Sequence, residues 1–568
     1  MIKESVVAMK SLRQVSFRFF LLLVAVIVIG SIIPAYAVYH PDGRDFVVVN
    51  GRMRFTRALY GGPSAFRLET SDGPEFGLWM PSMGGNVTFS ITIDKVTLSL
   101  LDAKNIESHY GDAARTYIIS DPLFRGGHIT LTARACDEYD GAIWKMEFAG
   151  MPSSTRIGVR YGGVSGKRFS RNADLGVDPA DAFALTTEGC VGNIYSLKAN
   201  TFSVSYNQTS KDGVRTIQGC FPQGAILRVN NLQENAPVLD AEWKIGRGSS
   251  YVYIGAASTV PYARLAQLYE SMADRQKSLT ERIVFTTPDT LINTLGGALV
   301  AAADGIWDGK TWLHGAVGWR TPLAGWRAAY VGDVLGWHER SRSHFNAYAA
   351  SQVTGVEPTI PSPTQDESMG LARAEKRWGT QMYSNGYICR NPEKADQMSH
   401  YDMNLNYIDE LLWHLQWTGD WAYACSIFPV IERSLEWEKR NFDPDGDGLY
   451  DAYCCIWASD GLYYSGGDVT HSTAFNYRAN KLAAVIAEGL GERTKAAYYQ
   501  AEAQRIQDAV AATLWDDEKG VWAECRDKMG LQRLHTTPGV WTVYNAIDSE
   551  VGTPLMNYRS TQYIDREI

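Results

Sequence analysis

The sequence of 568 residues has few features that would build a metal cage or a disulfide framework. Its eight cysteines are irregularly spaced, and no CxxC or HxxxH pattern accompanies them. Cys454 and Cys455 are not expected to bond to each other, because a link between neighbours is strained. We expect mostly buried thiols with one or two bridges among Cys136, Cys190, Cys220, Cys389, Cys425, Cys454, Cys455 and Cys525.

Positive charge is also sparse. The formal net charge is −9, and no basic stripe is visible along the chain. These features exclude nucleic acid and an anionic membrane surface as expected partners. Aromatic residues are abundant instead, with 17 Trp and 30 Tyr, and many lie in loops where a sugar ring could stack on them. Filling a large core is the alternative explanation for these residues.

Residues 1–37 have the layout of a cleaved secretory signal. A basic segment ending at Arg18 precedes an apolar run of 15 residues, Phe19 to Ile33, and Ala35-Tyr36-Ala37 then supplies a small-x-small cleavage site. The run is shorter than the roughly 20 residues that a spanning helix needs. We therefore expect the mature protein to be periplasmic or extracellular, without a stable membrane anchor.

The hydropathy pattern changes near residue 260. Before it, alternating runs such as Val87 to Ile93 are separated by Asp-Gly and Asn-Gly turns, which predicts antiparallel strands. After it, apolar residues recur at helical spacing, as in Leu405 to Leu415. The patterns predict a β-sandwich over 38–260, a linker helix within 261–287 and a helical domain over 288–568.

Within the helical domain, long and short connections alternate. The pattern predicts seven helices, at 288–304, 326–352, 402–417, 421–440, 471–490, 492–514 and 538–548. In a ring of helical hairpins the short connections share one face and the long ones share the other, where functional groups concentrate. We expect the active face to be formed by the long segments 309–326, 386–402, 442–471 and 515–538.

One of these segments contains the strongest candidate for a catalytic acid. Asp468 follows Tyr464-Ser465-Gly466-Gly467, directly before a predicted helix, and aromatic residues including Trp457 lie in the same loop. A carboxyl group on such a loop could reach into a cleft and protonate a leaving group. Capping of the following helix is the simpler alternative for Asp468. Asp460, in an Asp-Gly turn of the same loop, is the second candidate, with a turn role as its alternative.

These segments carry a resemblance to known proteins. Ser465 to Thr470 is similar to the Ser-Gly-x-Asp acid loop of the trehalase and processing-glucosidase group. Trp319-Arg320 and Gly332-Asp333, with Trp326 nearby, resemble a segment of the α-L-rhamnosidases, although the acidic residue that precedes it in that group is absent. The N-terminal stretch around Arg57 to Asn86 resembles an uncharacterised family from polysaccharide-degrading bacteria.

The resemblance to bacterial six-hairpin glycosidases implies an antiparallel β-sandwich followed by an (α/α)6 toroid. A closed toroid contains twelve helices, so we expect this ring to be incomplete and C-terminally truncated. The implied function is a secreted glycoside hydrolase acting on a plant or microbial polysaccharide or oligosaccharide by inversion. Asp468 would protonate the leaving oxygen while a second carboxylate, roughly 6.5–9.5 Å away, activates water. That base belongs to the part of the ring expected to be absent.

Other residues are expected to bind substrate because they lie in the same long segments or border the cavity of the ring. Asp402 opens a predicted helix, so capping is its alternative role. The expected substrate-binding set is Trp319, Arg320, Trp326, Asp333, His400, Tyr401, Asp402, Trp457, Tyr464 and His471.

Two other functions are consistent with the sequence. A toroid-type polysaccharide lyase could use His400, Tyr401 and Asn404 to remove a proton beside a uronate carboxylate, although such lyases usually place the toroid first. A carbohydrate-binding protein without catalysis is the third hypothesis, and it is favoured if the base is absent.

No cofactor is expected, but one segment resembles the start of a calcium loop. Asp443, Asp445, Asp447 and Asp451 occupy ligand positions 1, 3, 5 and 9, with glycine at position 6. Cys454 stands where a bidentate Glu is expected at position 12, which weakens the resemblance. Calcium at these four residues is therefore an alternative to a metal-free turn.

Overall fold

The computed structural model describes the chain over residues 38–80, 83–165, 183–206, 216–256, 260–315, 320–325, 328–360, 376–399, 401–455, 464 and 466–568. Within those ranges no helix is both long enough and apolar enough to cross a membrane. The predicted signal segment, residues 1–37, lies outside them.

Antiparallel strands dominate the first part, as the alternating pattern predicts. They are β1 His40–Asp42, β2 Asp45–Val49, β3 Arg57–Tyr60, β4 Arg67–Thr70, β5 Glu75–Met80, β6 Met83–Ile93, β7 Val96–Ser99, β8 Asn105–Gly111, β9 Ala114–Ser120, β10 His128–Ala135, β11 Gly141–Ala149, β12 Arg156–Ser165, β13 Ile194–Lys198, β14 Thr201–Ser205, β15 Thr216–Cys220, β16 Ile226–Asn231, β17 Pro237–Lys244 and β18 Ser250–Gly255. One sheet has ten strands, β1-β2-β8-β9-β10-β11-β18-β15-β14-β13, and the other has eight, β16-β17-β12-β6-β5-β4-β3 with β7 beside β6.

Alternate side chains from both sheets meet in a single apolar core. Phe89 on β6 and Trp144 on β11 are buried, and the ring of Phe76 meets Trp144 edge-on with centroids 5.5 Å apart. Because successive side chains of a strand point to opposite faces, the period of two in the sequence places these residues between the sheets. The predicted sandwich architecture is confirmed.

Helices dominate the second part. The α-helices are α1 Thr187–Cys190, which lies within the sandwich sequence, α2 Leu265–Thr280, α3 Thr290–Asn293, α4 Leu295–Gly305, α5 Tyr330–Val334, α6 His338–Ala349, α7 Asp402–Thr418, α8 Trp421–Phe442, α9 Thr470–Gly489, α10 Arg493–Thr513, α11 Val540–Asp548 and α12 Pro554–Glu567. Short 3-10 helices occur at Leu100–Asp102, Pro122–Phe124 and Tyr262–Arg264.

Most of the predicted helices are confirmed, and three corrections are needed. The expected single helix over 288–304 is divided at Thr294 into α3 and α4. The expected single helix over 326–352 is divided into α5 and α6, because Gly336 adopts a left-handed conformation with φ of 72° between them. Helix α12 was not predicted, although Thr553 caps it and Pro554 occupies its first turn. The expectation that the helical ring is incomplete stays a prediction.

Helices α7 and α9 are buried around almost their whole circumference. The apolar stripe of α7 packs into the helical core, but Asn406, Asp409 and Glu410 on the same helix are buried as well. Polar side chains can be buried in this way only if they find partners in the interior. The tight link from α7 to α8 is made by Gly419 at φ of 58° and by Asp420, whose carboxylate accepts from the amide of Tyr423.

Short strands interrupt the helices on the long-loop side, which the sequence pattern does not predict. Strands β19 Gly467–Val469, β22 Cys525–Asp527 and β23 Leu534–His535 form a three-stranded antiparallel sheet, and β20 Trp515–Asp516 pairs with β21 Val521–Trp522. This small sheet joins segment 442–471 to segment 515–538.

The sandwich and the helices are joined through the backbone oxygen of Gly305, at the end of α4. The guanidinium of Arg67, on β4, donates to this oxygen although the side chain has no exposure to solvent. Arg320 donates to the same oxygen at 2.8 Å, and also to the backbone of Pro63. The ring of Tyr60 lies 4.6 Å from the Arg67 guanidinium.

Candidate active site

Two glycines shape the loop that carries Asp468. Gly466 and Gly467 have φ of 83° and 107°, and a Cβ on Gly467 would lie 2.2 Å from the backbone oxygen of Arg526. Strand β19 can therefore lie close against β22, which places Asp468 opposite Arg526 just before α9. The N-cap of α9 is Val469, and among the described residues no side chain is seen to cap this helix. Asp468 is thus not the helix cap that was its alternative role.

The Asp468 carboxylate is mostly buried, with 13% of its side chain exposed, and it pairs with the Arg526 guanidinium. Burial raises the pKa of Asp468 to about 6, the charge of Arg526 opposes that rise, and Asp447 and Asp451 add to it. A carboxyl group with this pKa is partly protonated near neutral pH, as a general acid must be.

Asp451 lies beside Asp468 on a neighbouring extended segment, with which Asp468 forms an isolated antiparallel bridge. Its carboxylate accepts from the amide of Gly467 at 3.1 Å and pairs with Lys528. Burial raises the pKa of Asp451, while Lys528 opposes the rise. Two carboxylates thus stand side by side, and each has its own cation from the segment after β21.

Tyr401, from segment 386–402, contacts segment 442–471, which also carries Asp451 and Asp468. Its hydroxyl accepts from the amides of Tyr453 and Cys454, at 2.5 and 2.8 Å, and its ring stacks on Phe442 with centroids 5.0 Å apart. The hydroxyl is therefore engaged with backbone and not directed at a substrate. The Asn404 side chain likewise bonds both the amide and the carbonyl of Ile388, which disfavours the lyase set.

Asp402 and His471 are both buried near the helix starts. Asp402 is the first residue of α7, and Tyr401, not Asp402, occupies the N-cap position. His471, in the first turn of α9, lies against the ring of Tyr464, with centroids 5.7 Å apart. Burial lowers the pKa of His471 to about 4, although the nearby Glu524 carboxylate opposes this, so the imidazole is neutral at pH 7.

Glu524 is a central residue that sequence reasoning missed. Its Oε1 accepts from the hydroxyl of Tyr464 and the indole N–H of Trp541, at 2.5 and 3.0 Å. Its Oε2 accepts from the amide of Gly539 and the hydroxyl of Thr542, at 2.9 and 2.7 Å. Helix α11 begins after Gly539, which has no side chain to cap it. A helix that begins at a glycine has no side-chain cap of its own. This was the sequence signal that an acidic residue from another segment could cap α11.

A cavity of about 430 Å³ lies between α5, α7, α9 and α11. The amide nitrogen of Asn545 in its wall is buried and has no hydrogen-bond partner among the described residues. Rings and short polar side chains together suit a ligand with apolar faces and hydroxyl edges. The lining residues are Tyr330, Asp333, Val334, Asn406, Trp413, Trp417, Phe475, Tyr544, Asn545 and Asp548.

An ion-pair network supports one wall of this cavity. Arg478 pairs with Asp409 at 3.2 Å and with Asp548 at 2.5 Å, and its guanidinium lies 4.8 Å from the ring centre of Trp413. The hydroxyl of Tyr330 donates to Asp409. Burial raises the pKa of Asp409 to about 6, and the charge of Arg478 limits the rise.

Asp333, an expected substrate-binding residue, lines the cavity from α5. Its carboxylate accepts from His338 at 2.8 Å and from His414 at 2.9 Å. Arg320 lies elsewhere, with its guanidinium on backbone oxygens at the junction with the sandwich. Five further predicted residues lie outside the described residues: Trp319, Trp326, His400, Trp457 and Asp460.

Acidic oxygens converge where a calcium loop was an alternative. One ligand atom each from Asp443, Asp445 and Asp447 lies within 4.8 Å of the others. However, Asp443 pairs with Arg505, and Asp451 pairs with Lys528. Asp447 also lies 3.7 Å from Arg526. Three of the four carboxylates therefore have cationic partners, so the remaining donor set is weak for a cation that prefers six to eight oxygens.

A family model described as a domain of unknown function, DUF4450, matches residues 80–269. No curated protein matches the chain. Among solved structures, a bacterial glucoamylase complexed with acarbose aligns over 94% of this chain and 81% of its own, at 10% identity and a TM-score of 0.53. The chain is similar in fold to that glucoamylase. The likeness supports the expected β-sandwich and helical toroid architecture.

Two rhamnosidases align less well. The alignment with the GH78 rhamnosidase of Bacillus sp. GL1 covers 68% of this chain and 39% of the rhamnosidase chain, at 14% identity and a TM-score of 0.40. The alignment with the rhamnosidase from Klebsiella oxytoca, solved with rhamnose bound, covers 90% of this chain and 73% of the rhamnosidase chain, at 13% identity and a TM-score of 0.40.

Proposed function

We propose that this protein is a glycoside hydrolase in which Asp468 is the general acid. The observation that carries the proposal is the Asp468 carboxyl at the start of α9, mostly buried and with a pKa raised to about 6. The glucoamylase-like fold also supports the proposal. The loop of Asp468 lies at the N-terminal ends of α9 and α11, on the side of the helices where the long connections lie. Asp460 remains the alternative acid.

In the proposed reaction, Asp468 gives its proton to the glycosidic oxygen as the bond to the anomeric carbon breaks. Water attacks that carbon from the opposite face and loses its proton to a second carboxylate, which gives inversion. Asp451 and Glu524 are poor candidates for this base, since hydrogen bonds and a lysine already engage their oxygens.

The substrate is proposed to be a polysaccharide or oligosaccharide that contacts the cavity between α5, α7, α9 and α11. Stacking on its rings and a hydrogen bond from the side-chain amide of Asn545 suit a sugar. Because the similar glucoamylase was solved with acarbose, α-glucosides are the first substrates to test.

We further propose that the protein is exported and that residues 1–37 are removed, which N-terminal sequencing of the secreted protein would test.

The decisive experiment compares Asp468→Asn with wild type on maltotriose and on a panel of 4-nitrophenyl glycosides, the α-glucoside included. We expect turnover on the unactivated oligosaccharide to fall by about 10²-fold or more, and turnover on the aryl glycoside to fall less, because nitrophenolate needs little protonation. Asp447→Asn is the matched control, since this carboxylate also faces Arg526, at 3.7 Å. An equal loss on both substrates would argue against an acid role. Sugar binding without hydrolysis by wild type would favour the carbohydrate-binding hypothesis.

A further inference from the structure

Glu524 connects three elements at the rim of the helical ring. It belongs to the turn before β22, it accepts from Tyr464 in the loop of Asp468, and it accepts from three groups at the start of α11. We infer that Glu524 is a positioning residue that holds Tyr464 and Trp541 together as one aromatic wall of the sugar-binding site. This inference rests on the proposed function for its ligand, a sugar, but not for its geometry.

The hydrogen bonds of Glu524 favour positioning over chemistry. Each carboxylate oxygen accepts from two donors, and all four donors belong to the protein. A carboxylate in this state has little capacity left to accept a proton from water. The negative charge also lies at the N-terminus of α11, where the helix dipole stabilises it. Glu524 is thus held in one orientation.

Trp541 is fixed by Glu524 on one side and by Gly539 on the other. Its indole folds back over Gly539, where a Cβ would lie 2.3 Å from the nearest ring atom. The ring is only partly buried, whereas Tyr464 beside it is buried. Trp541 therefore presents the accessible face of the wall, and Tyr464 supports it.

The wall borders the cavity. Tyr464, Val469 and Phe475 form one apolar cluster, and Trp541 and Tyr544 pack against it. Phe475 and Tyr544 also line the cavity. A sugar that extends from the cavity past Phe475 and Tyr544 would therefore meet the face of Trp541, which is a suitable stacking surface.

The geometric part can be tested without any sugar. In the full chain labelled with 5-fluorotryptophan, the ¹⁹F resonance of Trp541 is identified by its absence in Trp541→Phe. Glu524→Gln keeps the shape but offers a single acceptor oxygen, so two of the four donors then face an amide NH₂. We expect the Trp541 resonance to shift or broaden in Glu524→Gln. An unchanged resonance would overturn the inference.

Thr542→Val is the matched control, because it removes a donor to Glu524 at the helix side only. We expect it to lower thermal stability slightly and to leave the Trp541 resonance unchanged. If Thr542→Val moved that resonance as much as Glu524→Gln does, Glu524 would be a helix cap alone. Glu524→Asp, which keeps both acceptor oxygens, should retain part of the wild-type signal.

The kinetic part uses whichever 4-nitrophenyl glycoside of the panel wild type cleaves fastest. We expect Glu524→Gln to raise KM about tenfold with kcat within about threefold, since stacking stabilises bound substrate and transition state alike. A fall in kcat of about 10²-fold at unchanged KM would place Glu524 in the chemistry and overturn the positioning role. If wild type cleaved nothing in the panel, the proposed function would fail, whereas the fluorine spectra would still decide the role of Glu524.

Discussion

Asp468 and Glu438 are two of the carboxyl groups in the helical region whose pKa is raised, and they differ in whether a substrate can reach them. Asp468 lies at the rim in a shaped loop, with a pKa of about 6 and Arg526 beside it. Glu438 lies within α8, where burial raises its pKa to about 8, a hydrogen bond from Asn476 opposes the rise and nearby Asp402 adds to it.

A raised pKa has a different consequence in Glu438 than in Asp468. Burial is the leading cause for both groups, but the larger shift belongs to the more deeply buried one. Glu438 is a protonated acid inside the protein at neutral pH, where it serves packing. Asp468 combines a smaller shift with partial exposure and an adjacent cation, so its protonation can be tuned. Accessibility, and not the size of the shift, marks the catalytic candidate.

The largest effect expected at Glu438 is on stability. Glu438→Ala removes a buried side chain and leaves Asn476 without that partner, so we expect a loss of about 3 kcal/mol in the free energy of unfolding. Glu438→Gln should cost less than about 1 kcal/mol, because it keeps the volume and the hydrogen bond. Urea unfolding measures both, with exposed Glu436→Ala on the same helix as the control. Strong loss of activity in a folded Glu438→Gln protein would break the comparison.

A smaller effect at Glu438 appears in the pH dependence of stability. Its pKa is about 8 in the folded protein, against an ordinary value of 4.5. Between these two values the folded protein holds a proton that the unfolded chain has released, so stability falls as pH rises, by at most about 1.4 kcal/mol per pH unit. We expect this slope to be reduced in Glu438→Gln. Parallel pH curves for the two proteins would contradict a protonated Glu438.

Next in size is an effect on the pH profile of kcat/KM. The charged or titratable groups that face Asp468 are Arg526, Asp447, Asp451 and Cys525. Because Arg526 lowers the pKa of Asp468, its loss in Arg526→Gln should raise that pKa and move the alkaline limb about 1 pH unit higher. Arg526→Lys keeps the charge and should leave the limb close to its wild-type position. Movement to lower pH would exclude Asp468 as the acid.

The smallest effect is expected from calcium. Arg505 and Lys528 already neutralise Asp443 and Asp451. We therefore expect added calcium or a chelator to change the melting temperature by less than about 1 °C. Asp445→Asn serves as the control, and a calcium-dependent rise that this substitution abolishes would establish the metal site.

Local spacing predicted much of this fold. Helices α7 and α8 were placed within two residues, since their apolar periodicity and the Gly419-Asp420 link are local signals. Strands β22 and β23 were missed because runs of two or three residues are too short to show alternation. Helix α12 does have a local start signal, the capping residue Thr553 followed by Pro554 in the first turn.

The candidate site was predicted where a loop sequence carries its own chemistry and missed where partners are distant. Asp468 and Tyr464 share one short segment with two glycines. Glu524 meets Tyr464 across 60 residues and Trp541 across 17, and no spacing rule connects them. Asp333 was predicted to face the cavity and does line it, but its two histidine partners come from separate helices.

The shared carbonyl of Gly305 bears on modularity. Arg67 and Arg320 both donate to that oxygen, so strand β4 and the segment before α5 are attached to one atom at the end of α4. A helical region moved to another scaffold without β3 and β4 would lose one of these donors and the Tyr60 ring that covers Arg67. The unit that recombination or protein engineering can transfer intact is therefore the pair of sandwich and helices, and not the helical region by itself.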